Sequence, residues 1–314
     1  MSGARRALIL HAGVVAALFA LNFLLPAYHH GNLARIMVLA SYAIGFNLLL
    51  GYTGLLSLGH AMFFAAGMYG MGLSMRYLGF TPGPAFLAGL AAGAAVSLAV
   101  GVLALRTAGV AFMIVTLMFA QAAYLVILLA GRFTRGDEGF VIRQAERVFL
   151  GVDLSDPGNR YLAALLLFAA CMFLMLRLIG LPSGRVLVAI RENEERARLL
   201  GYDTFAHKLY AVVVSGTISA AAGAAYGLLF GYVGATFASV QYSILPLLWV
   251  LLGGAGTLIG PLIGTALMFY LIDLSSGLTS AYMLIAGVVL VLITLFAPEG
   301  LGGELRRRLW PWLP

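Results

Sequence analysis

The sequence predicts an all-α membrane protein, a polytopic helix bundle of about ten transmembrane helices, on three observations. Hydrophobic residues fill 62% of the 314 positions and charged residues only 10%, whereas a soluble domain carries roughly 25% charged residues. Mean hydropathy is +1.00, so water cannot be the main solvent of this surface. Apolar runs recur at ~20 residues, the length that crosses a hydrocarbon core of about 30 Å. Unbroken runs such as Ala85 to Leu105 also exclude a β-barrel, whose strands alternate over ~10 residues.

The spans read in order as 7–25, 34–50, 60–78, 84–105, 109–131, 161–180, 208–231, 243–260, 262–279 and 280–297, within one transmembrane domain over 1–314. The first follows Arg5-Arg6 but exceeds the roughly 7–15 residues of a signal-peptide core, and no Ala-x-Ala site follows it, so it reads as a retained helix. Loop 132–160 carries five Arg and five acidic residues, and loop 183–203 is the other long charged segment. Arg306 to Trp312 sets cations beside indoles, as an anchor at the headgroup level does. Cytoplasmic loops hold the positive excess. With the N-terminus inside, twelve basic residues lie on the cytoplasmic side and seven on the other. Both termini and 183–203 are then cytoplasmic in a multi-pass plasma (inner) membrane protein, and 132–160 is extracytoplasmic.

Small residues four apart permit close helix packing in lipid, where no hydrophobic drive pulls helices together. Gly223-Gly227-Gly231, Gly256-Gly260-Gly264 and Gly89-Gly93-Ser97-Gly101 form three such ladders.

Composition excludes several chemistries. Cys171 is the single cysteine, the five histidines lack metal-ligand spacing, and the one lysine, Lys208, is outside any Gly-x-x-x-x-Gly-Lys-Ser/Thr motif. The chain therefore has no P-loop, no disulfide and no zinc motif. The net charge of +7 is spread without a basic stripe, which argues against nucleic acid and for anionic headgroups of membrane lipid.

Four stretches carry candidate function. Gly51-Tyr52-Thr53-Gly54-Leu55-Leu56-Ser57-Leu58-Gly59-His60 breaks two apolar runs. Irregular backbone at membrane depth must be buried in protein or line a watery cavity, and glycine-broken segments mark transport sites. The stretch is a pathway lining, with Tyr52, Gly54 and Ser57 as candidates, or a plain turn. His60 is a ligand or a hydrogen-bonded packing residue, and Asn47 a pathway residue or an interhelical hydrogen-bonding group. Asp273, the one carboxylate inside an apolar span, should face the bundle interior because an exposed charge in lipid is costly. In 183–203, Asn193 has N-cap character, Glu194 and Glu195 suit the positive helix end, and Gly201 supplies a left-handed stop. A helix over 194–200 follows, ~10 Å long and too short to be stable alone. Loop 132–160 is solvated or meets an external partner through charge complementarity.

These motifs together resemble the membrane-permease subunit of ATP-binding-cassette importers for branched-chain amino acids. The resemblance rests on GYTGLLSLGHAMFFAAGMY at 51–69, SGRVLVAIRENEERARLLGY at 183–202, HKLYAVVVSGTISAAAGAAYG at 207–227 and LLGGAGTLIGPLIGTAL at 251–267. It implies the larger, vitamin B12-type importer architecture. It also implies that loop 183–203 couples to an ATPase through Arg185, Arg191, Glu192, Asn193, Glu194, Arg196 and Gly201. The implied partners are a related second permease subunit, two ATPase subunits that carry the ATP and Mg, and an external substrate-binding protein. Arg135, Asp137, Glu138 and Arg143 are the residues the binding protein would meet. No cofactor is expected in this chain, which is not itself an enzyme. A urea or short-amide importer is the alternative cargo class. An ion-gradient-driven secondary transporter would place several carboxylates or histidines in the membrane, and only Asp273 and His60 are at hand.

Overall fold

The computed structural model describes residues 3–277, 279, 281–297 and 299–309. The elements are α1 (Gly3–Leu24), α2 (Ala27–Asn47, continued by a π-helical turn Leu48–Thr53), α3 (His60–Leu78), α4 (Pro82–Ala104), α5 (Val110–Leu129) and the single turn α6 (Gly131–Thr134). Then come β1 (Phe140–Val141), β2 (Val148–Phe149), β3 (Val152–Asp153), α7 (Pro157–Gly180), α8 (Pro182–Glu192), α9 (Glu194–Leu199), α10 (Thr204–Phe230) and β4 (Tyr232–Val233). The chain continues through α11 (Val240–Gly253), α12 (Gly260–Ser276), α13 (Tyr282–Phe296) and α14 (Gly300–Leu309).

Among the described residues six helices are long and apolar enough to cross a membrane: α1, α2 with its π turn, α4, α5, α7 and α10. The helix α3 and the shorter apolar α11, α12 and α13 occupy the remaining predicted segments. Buried fraction ranks them. The apolar window of α2 is 89% buried and that of α10 78%, against 17% for α1 and α5. Thus α2 and α10 run through the centre while α1 and α5 turn most of their surface outward. Tyr42, Phe46, Phe63 and Phe64 are among the fully buried side chains.

Glycine decides how closely the centre packs. The helices α3, α4 and α10 lie against one another, and a Cβ added to Gly89 would sit 2.6 Å from the Gly67 carbonyl oxygen. Added carbons at Gly67 and Gly223 would overlap the Ala220 and Phe64 main chain, so α3 and α10 touch backbone to backbone. The α4 ladder and Gly223 and Gly227 are packing positions. Gly231 instead ends α10 with a φ of 73°, a conformation that favours glycine.

Several predicted boundaries move. The helix α2 starts at Ala27 rather than 34 because partners satisfy its polar first turns. His30 bonds Asn22 and stacks on Tyr161 with ring centroids 4.5 Å apart. The predicted span 243–260 is not one helix. Gly254 and Gly256 take φ of 105° and 77°, stopping α11, and the Thr257 hydroxyl accepts from Gly260 N–H at 3.2 Å to start α12. Residues 182–192, read as loop, form α8, whose Val186, Leu187 and Ile190 share a buried stripe. In loop 132–160, β1 pairs antiparallel with β4 and β2 with β3. Trp310 and Trp312 of the expected interfacial anchor lie outside the described residues; α14 ends at Leu309.

Candidate functional site

The last four carbonyls of any α-helix lack an intrahelical partner, and α2 ends where that shortage matters. Its π turn, a form rare in general and frequent at functional sites, bonds the Thr53 hydroxyl to Leu48 O at 2.9 Å and closes on Gly54 at φ 74°. Gly51 O is capped from another element: Arg191 Nη1, near the end of α8, donates to it. The arginine lies across the turn, with its Cγ 3.1 Å from where a Gly54 Cβ would be. A cation at a helix C-terminus also suits the helix dipole.

Asn47 holds the same helix end from the other side. Its Nδ2 donates to Thr257 O at 2.8 Å, and its Oδ1 accepts from Gly256 N–H at 2.9 Å. The buried amide thereby uses its carbonyl and one N–H on the α11–α12 connection. Gly51 must be glycine here, because any Cβ would overlap Asn47 Oδ1 and Gly256 N. The end of α2, the end of α8 and residues 254–259 therefore meet at one point. A cleft of about 370 Å³ opens beside it, bordered by Arg191, Gly256, Thr257 and Glu299.

Tyr52 is buried and borders a small void with Leu178, Gly184 and Leu187. Ser57 is buried, and its hydroxyl accepts from Gly59 N–H at 3.2 Å. Leu58 N–H donates to Thr116 Oγ1 at 3.1 Å, fastening 54–59 to α5. His60 Nε2 lies 2.8 Å from Ser215 Oγ, which donates to Gly45 O at 2.6 Å. Because that hydroxyl proton is committed to Gly45, the imidazole Nε2–H is the donor to serine. The chain of bonds pins α3, α10 and α2 together. Asp273 is not brought to this cluster. It accepts from Tyr28 and Asn32 at the start of α2, roughly 35 Å along the helix from Gly51 at 1.5 Å per residue.

The cytoplasm-assigned loop is a helical pair, α8 and α9, broken at Asn193. Asn193 Oδ1 accepts from Arg196 N–H at 2.8 Å as the N-cap, and Gly201 stops the segment at φ 89°. Ala197 is buried with Val186 and Ile190, which is what holds so short a helix. Two of the seven coupling candidates also bond within the chain: Arg191 to Gly51, and Glu194 to Lys208 Nζ at 2.6 Å. The inward turn of Glu194 follows from the burial of Lys208, whose side chain is only 10% exposed and requires a counter-ion. Leu200, three positions after the buried Ala197, is 72% exposed. Arg185, Glu192 and Arg196, with Leu199 and Leu200, make the outward face.

Burial raises the Glu194 pKa, but the hydrogen bond and charge of Lys208 outweigh it, and the net shift is downward. A carboxyl whose folded pKa is depressed stabilises the fold above its unfolded pKa and loses that stabilisation as pH falls through the folded value. Amide protection over 195–201, taken relative to the intrinsic exchange rate at each pH, should therefore be high at neutral pH and fall only as pH drops below the ordinary glutamate range. Glu194→Gln should remove the acid transition and leave protection at neutral pH as low as that of the acidified protein. Protection that is independent of both pH and the substitution would contradict the pairing.

On the opposite side Arg135, Asp137, Glu138 and Arg143 are all exposed. Arg143 Nε bonds Glu146 at 3.0 Å, and Glu138 O accepts from the Tyr232 hydroxyl at 3.0 Å. The β1–β4 pair ties this loop to the end of α10. Among the described residues no group of His, Cys, Asp or Glu is placed to hold a metal ion. Sequence reading passed over Thr116, Ser215 and Thr257. Each is a hydroxyl in or beside an apolar run, which was the available signal.

Residues 30–296 match the model of the family described as branched-chain amino acid transport system, permease component. The chain is similar to the high-affinity branched-chain amino acid transport system permease protein LivM of Salmonella typhimurium and to that of Escherichia coli. Each is 30% identical over 291 residues, covering 84% of this chain and 68% of the relative. It is also similar to the probable LivM of Methanocaldococcus jannaschii, 32% identical over 141 residues, covering 40% of this chain and 41% of that one. No solved structure matches.

Proposed function

Because the chain belongs to the branched-chain amino acid transport permease family, we propose that residues 1–314 form one membrane-spanning domain that carries branched-chain amino acids through an ATP-driven importer. Hydrolysis takes place on two separate ATPase subunits holding ATP and Mg. A related second permease subunit completes the pathway, and an external binding protein delivers the cargo to the face that bears Arg135, Asp137, Glu138 and Arg143. The multi-pass chain sits in the plasma membrane with both termini cytoplasmic, the side on which ATP is available.

One observation carries this reading. The exposed α8–α9 pair is joined to the central helix α2 by the Arg191–Gly51 bond, so a force applied to the outward face of α8–α9 reaches α2, 89% buried at the centre. Glu192 and Arg196 are exposed on that pair and are free to meet complementary charges on an ATPase. Reversing both (Glu192→Arg with Arg196→Glu) should leave membrane insertion intact, weaken capture of the ATPase subunit, and uncouple hydrolysis from uptake in reconstituted vesicles. Unchanged capture, hydrolysis and uptake together would sink the docking assignment and leave the segment a solvated charged loop.

A further inference from the structure

The strands β2 and β3 form a hairpin whose tip is apolar and whose base is polar. Leu150 and Gly151 turn it, both at positive φ, 51° and 81°. Such a two-residue turn ordinarily favours Asn-Gly. Leucine instead occupies the first position, 87% exposed, flanked by Val148, Phe149 and Val152, which are each more than 40% exposed. At the base, Gln144 Nε2 donates to Asp153 at 3.2 Å, and Asp153 Oδ1 accepts from Ser155 N–H at 2.8 Å and from its hydroxyl at 2.6 Å. These bonds depress the Asp153 pKa, the Ser155 hydroxyl most strongly, which keeps the base anionic and wet.

Beneath the tip is a groove of about 310 Å³ between α4, α7 and α10, walled by apolar residues that include Phe86, Leu154, Leu167 and Leu228. Phe149 roofs it: a Cβ on Gly83 would lie 2.7 Å from the Phe149 ring. On α7 the wall runs from Ala163 to Ala170, about 9 to 20 Å below Pro157 at 1.5 Å per residue. That depth lies within the hydrocarbon of a bilayer. Leu166, 73% exposed, continues the groove onto the outward surface of the α7 span. An extended peptide would leave its own N–H and C=O groups unbonded against such walls, and a groove of this volume is too small for a helix about 10 Å across.

We propose that the 148–153 hairpin is immersed in the membrane beside the N-termini of α4 and α7, and that the groove under Phe149 holds one acyl chain of a phospholipid. The polar base then sits among headgroups and water while the tip enters hydrocarbon. The charged loop 132–160 thus has two faces, one toward water through Arg135 to Arg143 and one toward lipid.

The test uses the assembled transporter in phosphatidylcholine and phosphatidylglycerol vesicles, with Cys171→Ala as background. Nitroxide labels are placed by Leu150→Cys, by Leu166→Cys as a lipid reference and by Asp137→Cys as a water reference. The label at 150 should collide often with oxygen and rarely with a nickel chelate, as at 166 and opposite to 137. A label at 150 as open to nickel as that at 137 would overturn the immersion, as would one shielded from both reagents by a protein partner. For the groove, a spin-labelled lipid chain reports the number of immobilised lipids per transporter. Filling the groove by Ala170→Trp should lower that number by about one, with the thermal midpoint unchanged, and Phe149→Ala should speed exchange of the bound chain. Numbers and exchange rates unaltered by both variants would remove the acyl-chain site.

Discussion

Alanine at position 191 should lower uptake about 10- to 100-fold in a transporter that still inserts and still binds its ATPase. The guanidinium donates to Gly51 O at the end of α2, and a hydrogen bond from a charged group contributes about 1.5–3 kcal/mol. At 1.36 kcal/mol per tenfold in rate, losing it from the state that moves α2 gives that range. Arg191→Lys keeps the charge at the helix end but lacks the planar fork whose Nη1 reaches Gly51 O, so its uptake should be intermediate. ATPase capture separates this role from direct docking. If Arg191→Ala loses uptake only in proportion to lost ATPase binding, the arginine faces the partner and the strut is wrong. Full uptake by Arg191→Ala would dismiss both.

The largest expected effect on stability is at the α3–α10 contact. Added carbons at Gly67 and Gly223 overlap main-chain atoms on the facing helix, and backbone cannot rotate away as a side chain can. Overpacking of a core costs about 1–3 kcal/mol where side chains can adjust, and these sites belong at or beyond the upper end. Gly223→Ala alone should lower the thermal midpoint in detergent, and Gly67→Ala combined with Gly223→Ala should leave little monodisperse protein. Gly13→Ala is the matched control, since nothing lies within 4 Å of its added carbon. Chromatography after a heat step reads the outcome. A double variant as heat-resistant as Gly13→Ala would show that the two helices are not in backbone contact.

The helical membrane architecture and the short helix at 194 were determined by the sequence itself, because both rest on local properties. A run of ~20 apolar residues has no stable choice in lipid other than a helix that satisfies its own backbone. Asn193 and Gly201 act within a few positions of themselves. The α4 ladder of Gly89, Gly93, Ser97 and Gly101 likewise marked a packing face before any neighbour was known. Pairing between distant positions is another matter. Asn47, His60, Arg191 and Glu194 could each be picked out as polar groups needing partners, but periodicity does not name the partner. Only the folded chain set Asn47 against Thr257, His60 against Ser215, Arg191 against Gly51 and Glu194 against Lys208. Those choices gave two expected docking residues partners within the chain and set Asp273 at the far end of α2. The break at 254–259 and the two-residue strands were hidden for a related reason. A glycine-rich apolar stretch reads as continuous span, and a strand of two residues has no alternation to read. What decides such segments is which carbonyls and amides lie opposite them once the helices have packed, since a buried polar group left unbonded is too costly to keep.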